Sequence, residues 1–205
     1  MRAHALVLAA GRSRRFGGDK LLAPYRGRPL LSHVLDVVAE GCKREVFDSG
    51  HVVVAVDDAA AQMLCQKAGL PAVLNDAPGL GLSHSLRLGL EALEKLTRNE
   101  SGAVLVFLGD QPLVRLEVVE AVIAGYRSSS AAVVRPRYQT QPSVPGHPAL
   151  LDRSTWHLAS NLQGDRGLAD LLASASIETV MVDVSGDNPD VDTLADLHAL
   201  EETPQ

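Results

Sequence analysis

The sequence predicts an α/β domain of three layers (α/β/α), with a mostly parallel sheet covered by helices on both faces. Three observations predict it. Apolar runs such as 52–56 and 103–108 lack the polar alternation of a half-solvated strand, so they read as strands buried on both faces. Segments with apolar residues at helical spacing separate these runs, which is the alternation of a parallel sheet. The 205 residues suffice for one domain with a sizeable core, and 46% of them are hydrophobic, an ordinary globular share. No internal repeat or low-complexity linker divides the chain, so residues 1–205 read as a single domain.

Ala5 to Leu8 is a short apolar run ending in a Gly-bearing loop, a buried strand. Leu31, Val34, Leu35 and Val38 follow at helical spacing after Pro29, a favourable first-turn residue, and Gly41 is placed to end that helix. Val52 to Val56 is a second, β-branched strand. Ala59 to Ala68 is a short helix stopped by Gly69 and Pro71, and Ala72 to Leu74 a brief third strand. Leu82, Leu86, Leu90 and Leu93 mark one face of a further helix. Ala103 to Leu108 is the clearest central strand. Val119, Val122, Ile123 and Tyr126 share a face of the next helix, and Ala132 to Val134 is another strand. From Arg135 the rhythm breaks. Residues 135–146 hold three prolines, two glutamines and a tyrosine, and read as an excursion over the substrate side. A short helix over Leu168 to Leu172, a late strand from Ile177 to Val182 and a closing helix from Thr193 to Leu200 complete the order. Ligands of such sheets sit outside the carboxyl ends of the strands, which points at the segments after Leu8, Leu108 and Val134.

Composition excludes several classes of partner. Nineteen Lys and Arg stand against 25 Asp and Glu, a formal charge of −6. An acidic surface repels nucleic-acid phosphates and anionic lipid, so no nucleic acid and no membrane is expected. The apolar run Ala5 to Ala10 is followed by Gly11 and the arginines Arg12, Arg14 and Arg15, the reverse of a signal peptide's order, and a cytoplasmic protein is expected. Cys42 and Cys65 fall in predicted helices without zinc spacing and read as reduced, buried thiols. His4, His33, His51 and His198 have no partner motif and read as structural.

The segment Leu8-Ala9-Ala10-Gly11-Arg12-Ser13-Arg14-Arg15-Phe16-Gly17-Gly18-Asp19-Lys20 leaves a strand and opens into a glycine-rich, basic loop. Its backbone N–H groups can approach a ligand, and Arg15 and Lys20 can neutralise a triphosphate; a solvated surface loop is the plain alternative. Neither a Walker A ending nor GxGxxG is present. Asp110 follows the central strand and faces the ligand crevice, either as a magnesium ligand or as a turn residue before Gln111 and Pro112. Ser83 or Ser85 at a helix start could cap it or bind an anion, with Arg87 one turn on. Asp192 stands where a helix cap is also possible, shared with Thr193, and Asp165 could cap the helix that follows it.

The loop resembles the nucleotidyltransferase signature LAAGxSxRxGxxK. Followed by Leu21-Leu22-Ala23-Pro24 and Gly27-Arg28-Pro29-Leu30-Leu31, it is similar to the molybdenum cofactor cytidylyltransferases, within the wider MobA-like family of molybdopterin and sugar nucleotidyltransferases. The likeness continues at Gly79 to Arg87, Gly109-Asp110-Gln111-Pro112, Gly146-His147-Pro148, Gly164-Asp165-Arg166-Gly167 and Asp190-Val191-Asp192-Thr193, so it spans nearly the whole chain. Where the family often has methionine stands Gln111, and where it usually has proline after the threonine stands Leu194.

The resemblance implies a nucleotide-diphospho-sugar transferase-like, Rossmann-like fold. It implies a nucleotide-binding part over 1–135 and an acceptor-side part over 136–205. Leu8, Ala9, Ala10 and Gly11 would line the base and ribose pocket. Arg15 and Lys20 would hold the triphosphate, with Ser83, Ser85 and Arg87 as further nucleotide contacts. Asp110 and Asp192 would hold Mg²⁺, with Asp190 as the substitute, and His147 and Asp165 would meet the acceptor. The implied substrates are CTP, favoured by Ala9-Ala10, and the phosphate of a molybdenum-bound pterin cofactor. A molybdenum enzyme or its chaperone would take the product. A guanylyl transfer, a transfer to a sugar or alcohol phosphate, and an oxidoreductase or non-catalytic relative of the same fold stay open.

Overall fold

A computed structural model describes residues 2–13, 16–97, 102–164 and 177–202. Its frame is a seven-stranded sheet. The strands are β1 (Arg2–Ala9), β4 (Ser49–Ala55), β5 (Ala72–Asn75), β6 (Gly102–Leu108), β7 (Val133–Tyr138), β8 (Ala149–Asp152) and β9 (Thr179–Val184), in the order β5-β4-β1-β6-β8-β7-β9. β8 alone runs antiparallel to its neighbours; every other pairing in this sheet is parallel. A separate two-stranded hairpin joins β2 (Pro24–Tyr25) to β3 (Arg28–Pro29).

The central strands β1, β4 and β6 are buried on both faces because helices cover both. Alternate residues of β1 part to two sides. Ala5 and Val7 pack with Leu31, Val34 and Leu35 of α1 (Leu30–Lys43), and with Val119 and Val122 of α4 (Leu116–Ser128). Leu6 and Leu8 pack with Leu86, Leu90 and Leu93 of α3 (Leu82–Thr97) and with Trp156 of a 3-10 segment over Arg153–Asn161. The short α2 (Ala59–Ala68) joins the α1 side through Ala61 and Cys65. The last helix, α5 (Leu194–Glu202), closes a smaller cluster in which Leu197 and Leu200 meet Phe16, Tyr25 and Leu30.

Most expected elements are present, with shifted ends. β1 begins at Arg2 because residues 2–4 find ladder partners in β6. α1 does not stop at Gly41 but runs to Lys43. Gly41 is needed for packing instead: a Cβ there would lie 2.4 Å from Cζ of the buried Phe47. The excursion expected from Arg135 begins only at Gln139, since β7 continues through Pro136 to Tyr138. β7 pairs with β8 only at Val133 and Val134, so beyond them β7 has one paired neighbour and a proline is tolerated. β8 and the 3-10 segment after it were not expected. The helix expected over Leu168 to Leu172 lies outside the described residues. No helix among the described residues is long and apolar enough to cross a membrane.

Candidate active site

The chain leaves β1 to β4 on one side and later returns to β6 on the other, so a crevice opens between the carboxyl ends of β1 and β6. This is the topological switch point at which α/β sheets place ligands. A cavity of about 570 Å³ occupies it, within the range of small-molecule sites. Leu8, Ala9, Ala10 and Leu108 form an apolar floor, Gly79, Gly81 and Leu82 one rim, and Lys20, Asp110, Asp190 and Asp192 a charged wall.

Each charged residue is held by its backbone. Lys20 opens a 3-10 turn, Lys20–Leu22, anchored by the buried Leu21. Asp110 follows Gly109, whose N–H donates to the Leu8 carbonyl at 3.0 Å. A Cβ on Gly109 would sit 3.1 Å from the Ala9 Cβ and 3.2 Å from the Leu8 oxygen, so a side chain here would crowd the close approach of β6 to β1. Asp192 arrives from the far end of the chain. The Val191 N–H donates to the Asp110 carbonyl at 3.1 Å and ties that segment to the end of β6.

The two carboxylates meet on one ammonium. Lys20 Nζ donates to Asp110 Oδ2 at 2.6 Å and to Asp192 Oδ1 at 3.1 Å. Burial works against the Lys20 charge, but Asp110 and Asp192 outweigh it and raise its pKa above the ordinary lysine value. Asp190 is pushed up from the usual carboxylate range, first by burial and then by the charge of Asp110. It accepts from Gln111 Nε2 at 2.9 Å, and Gln111 Oε1 in turn accepts from Asn188 Nδ2 at 3.2 Å. This amide relay was not expected; the only sign of it was a glutamine where the resembling family often has methionine.

Asp192 does not cap the last helix. Thr193 does: its hydroxyl accepts from the Asp196 N–H at 3.2 Å, and Asp196 Oδ2 accepts from the Thr193 N–H at 2.7 Å. The Asp192 N–H also donates to Asp196, at 3.0 Å, which aims its carboxylate at Lys20. Oxygen ligands from two carboxylates around one bound cation suit Mg²⁺ or Mn²⁺, whose remaining ligands are phosphate and water. Among the described residues no group of three or more His, Cys, Asp or Glu is arranged to hold a metal; Asp110 and Asp192 bring two carboxylates to one point, and any metal there would need phosphate and water to complete its shell.

Other expected site residues are spread more widely. Leu8, Ala9, Ala10, Gly11, Lys20 and Ser85 line the cavity, and Ser85 Oγ accepts from Asn75 Nδ2 at 3.0 Å. Ser83 turns away, donating from its hydroxyl to the Gly164 carbonyl at 2.8 Å. Arg87 Nη2 donates to His84 Nδ1 at 2.9 Å, one turn along α3. His147, half-buried, donates from Nδ1 to the Val106 carbonyl at 3.1 Å. Burial, with the nearby Arg135 charge, pushes its pKa down to about 3. Arg15 and Asp165 lie outside the described residues. Arg12, Ser13, Leu21 and Pro78 also line the cavity without having been singled out; Ser13 holds a left-handed φ of 30°, a strained conformation for a non-glycine residue.

Comparison with known proteins bears on the family and the fold. The family described as the MobA-like NTP transferase domain matches residues 5–180. Nicotine blue oxidoreductase of Paenarthrobacter nicotinovorans is 30% identical over 205 residues, covering 95% of this chain and 94% of that protein. The crystal structure of Rv0371c from Mycobacterium tuberculosis H37Rv superposes with a TM-score of 0.77 at 28% identity over 100% of both chains. Its manganese complex does so with a TM-score of 0.77 at 26% identity over 99% of each. Molybdopterin-guanine dinucleotide biosynthesis protein A from Archaeoglobus fulgidus, at 19% identity and a TM-score of 0.67 over 97% of each chain, shares the fold alone. The CTP complex of CMP:2-keto-3-deoxy-manno-octonic acid synthetase, at 18% identity and a TM-score of 0.73 over 98% of this chain and 97% of that one, likewise shares only the α/β fold. With a match over most of its length, the chain belongs to the family of MobA-like NTP transferase domains.

Proposed function

We propose that this chain transfers CMP from CTP to the phosphate of molybdenum-bound molybdopterin and releases pyrophosphate. The observation that carries the reading is the meeting of Asp110 and Asp192, 82 positions apart in sequence, on one cation beside the glycine-rich turn. In this reading Leu8, Ala9, Ala10 and Gly11 hold base and ribose, and Ser85 faces the nucleotide across the cavity. Asp110 and Asp192 hold Mg²⁺, which supplies charge neutralisation on the phosphates. Lys20, with Arg15, steadies the negative charge that gathers on the departing pyrophosphate. The acceptor enters from the side of residues 136–205, toward His147 and Asp165.

No residue near the cavity needs to act as a general base. The acceptor phosphate is already anionic at neutral pH, so what remains for the protein is alignment and neutralisation. A phosphate oxygen attacks the α-phosphorus, the bond to the β-phosphate bridge breaks, and pyrophosphate leaves with the electron pair. The neutral His147 ring suits a positioning contact rather than proton transfer. The product would pass to a molybdenum enzyme or its chaperone in the cytoplasm, where nucleoside triphosphates are made.

Thermal-shift measurements with CTP, GTP, UTP and ATP, each with Mg²⁺, test the base. The reading predicts the largest stabilisation with CTP; stabilisation by GTP alone would assign a guanylyl transfer instead. A second reading has a specific observation behind it, the full-length relative named nicotine blue oxidoreductase. Redox turnover of a dye substrate with a supplied reductant, and no pyrophosphate from any nucleotide with a pterin acceptor, would favour that reading.

A further inference from the structure

We propose that Lys20 is a substitute cation, which neutralises Asp110 and Asp192 before the metal binds and keeps out a divalent ion that arrives without a triphosphate. The inference rests on the reading that these two carboxylates hold the metal. Its physical basis is competition for the same oxygens. Lys20 Nζ sits 2.6 Å from Asp110 Oδ2 and 3.1 Å from Asp192 Oδ1. Without a positive charge between them, these carboxylates and the neighbouring Asp190 would repel one another in a partly buried wall.

A lone divalent ion entering there must first strip Lys20 of its partners. The displaced ammonium then lies beside a double positive charge in a partly buried wall, where the paired Lys20 side chain is only 10% exposed. The lysine cannot retreat by moving its backbone. The Ala23 N–H donates to the Lys20 carbonyl at 3.1 Å, and the next residue, Leu21, is fixed in the core. Only the side chain can turn, and the one carboxylate left to it in this wall, Asp190, already accepts from Gln111. A triphosphate in the cavity supplies a new anion. Ion and triphosphate should therefore bind with positive coupling, and Lys20 is the residue that creates it.

Calorimetric titration with Mn²⁺ tests this, with and without a CTP analogue whose α–β bridging oxygen is replaced by methylene. The wild type should bind Mn²⁺ weakly alone and tightly with the analogue. Lys20→Met and Lys20→Gln, two neutral variants, should each bind Mn²⁺ alone about ten-fold more tightly than the wild type, within the usual range for coupled sites. Lys20→Arg, which keeps the charge, should resemble the wild type. In thermal unfolding, Mn²⁺ alone should stabilise the neutral variants more than the wild type. If both neutral variants bind Mn²⁺ alone no more tightly than the wild type, while the analogue still promotes wild-type binding, the substitute-cation proposal fails and the metal assignment stands. If Mn²⁺ binds none of these proteins under either condition, both fail.

Discussion

Lys20 keeps its charge at 8% exposure because two carboxylates face it, and buried charges are stable only when paired. Arg135 meets burial differently. At 4% exposure it donates from Nε to the Gly146 carbonyl at 2.9 Å and from Nη2 to the Pro145 carbonyl at 2.6 Å. Burial pushes its pKa down to about 10, so it stays protonated at neutral pH and pins the loop that carries His147. His147 should leave a signature in acid. Its pKa is near 3 in the folded chain and 6.5 in the ordinary case, so between those values the unfolded state binds the extra proton. Stability is therefore fully retained above about pH 6.5 and falls as pH drops toward 3. His4, His33 and His51 are also lowered by burial and act in the same direction. Denaturant unfolding of His147→Gln from pH 7 to 4 should show a shallower loss than the wild type; parallel curves would remove His147 as a source.

At the scale of elements, local signals explain most of what the sequence made legible. α2 spans the expected residues because Asp58 Oδ1 caps it, accepting from the Ala61 N–H at 2.8 Å, and Gly69 ends it at φ 70°. Gly41 misled because a glycine late in a helical pattern has two meanings, chain stop and close approach. Only Phe47, folded back against it, decides between them. β8 was hidden for a related reason. Its four residues, Ala149–Asp152, follow a proline-rich segment and pair antiparallel against the general rhythm, so no neighbouring pattern announced them. The start of α5 carries its own prediction. Thr193 and Asp196 cap each other reciprocally, so Thr193→Ala should lower stability by about 1 kcal/mol. That corresponds to roughly 2–4 °C in Tm for a chain of this size. An unchanged Tm would show that the cap contributes nothing to the folded chain.

At the scale of the whole molecule, strand order makes the site. The switch between β1 and β6 opens the cavity, and the return of the chain past β9 brings Asp190 and Asp192 to its wall. The first half of this was readable, since Asp110 follows a clear central strand and the basic loop follows β1. The convergence of Asp192 on Asp110 was not contained in any local pattern and came only from the family resemblance. Ser83 and Arg87 stand in a matching block, and their side chains bond to the Gly164 carbonyl and to His84. The amide relay from Asn188 through Gln111 to Asp190 joins two distant segments, and nothing in either segment alone foretells it.

The account depends most on Asp110 and Asp192 serving one reaction. The direct measurement is the initial rate of pyrophosphate release from CTP, with Mg²⁺ and molybdenum-bound molybdopterin, for the wild type, Asp110→Asn and Asp192→Asn. The account predicts that each substitution lowers turnover by about 100-fold or more, the scale of losing one main electrostatic contact in a transition state. Near-normal turnover in either variant, with the protein folded, would contradict it.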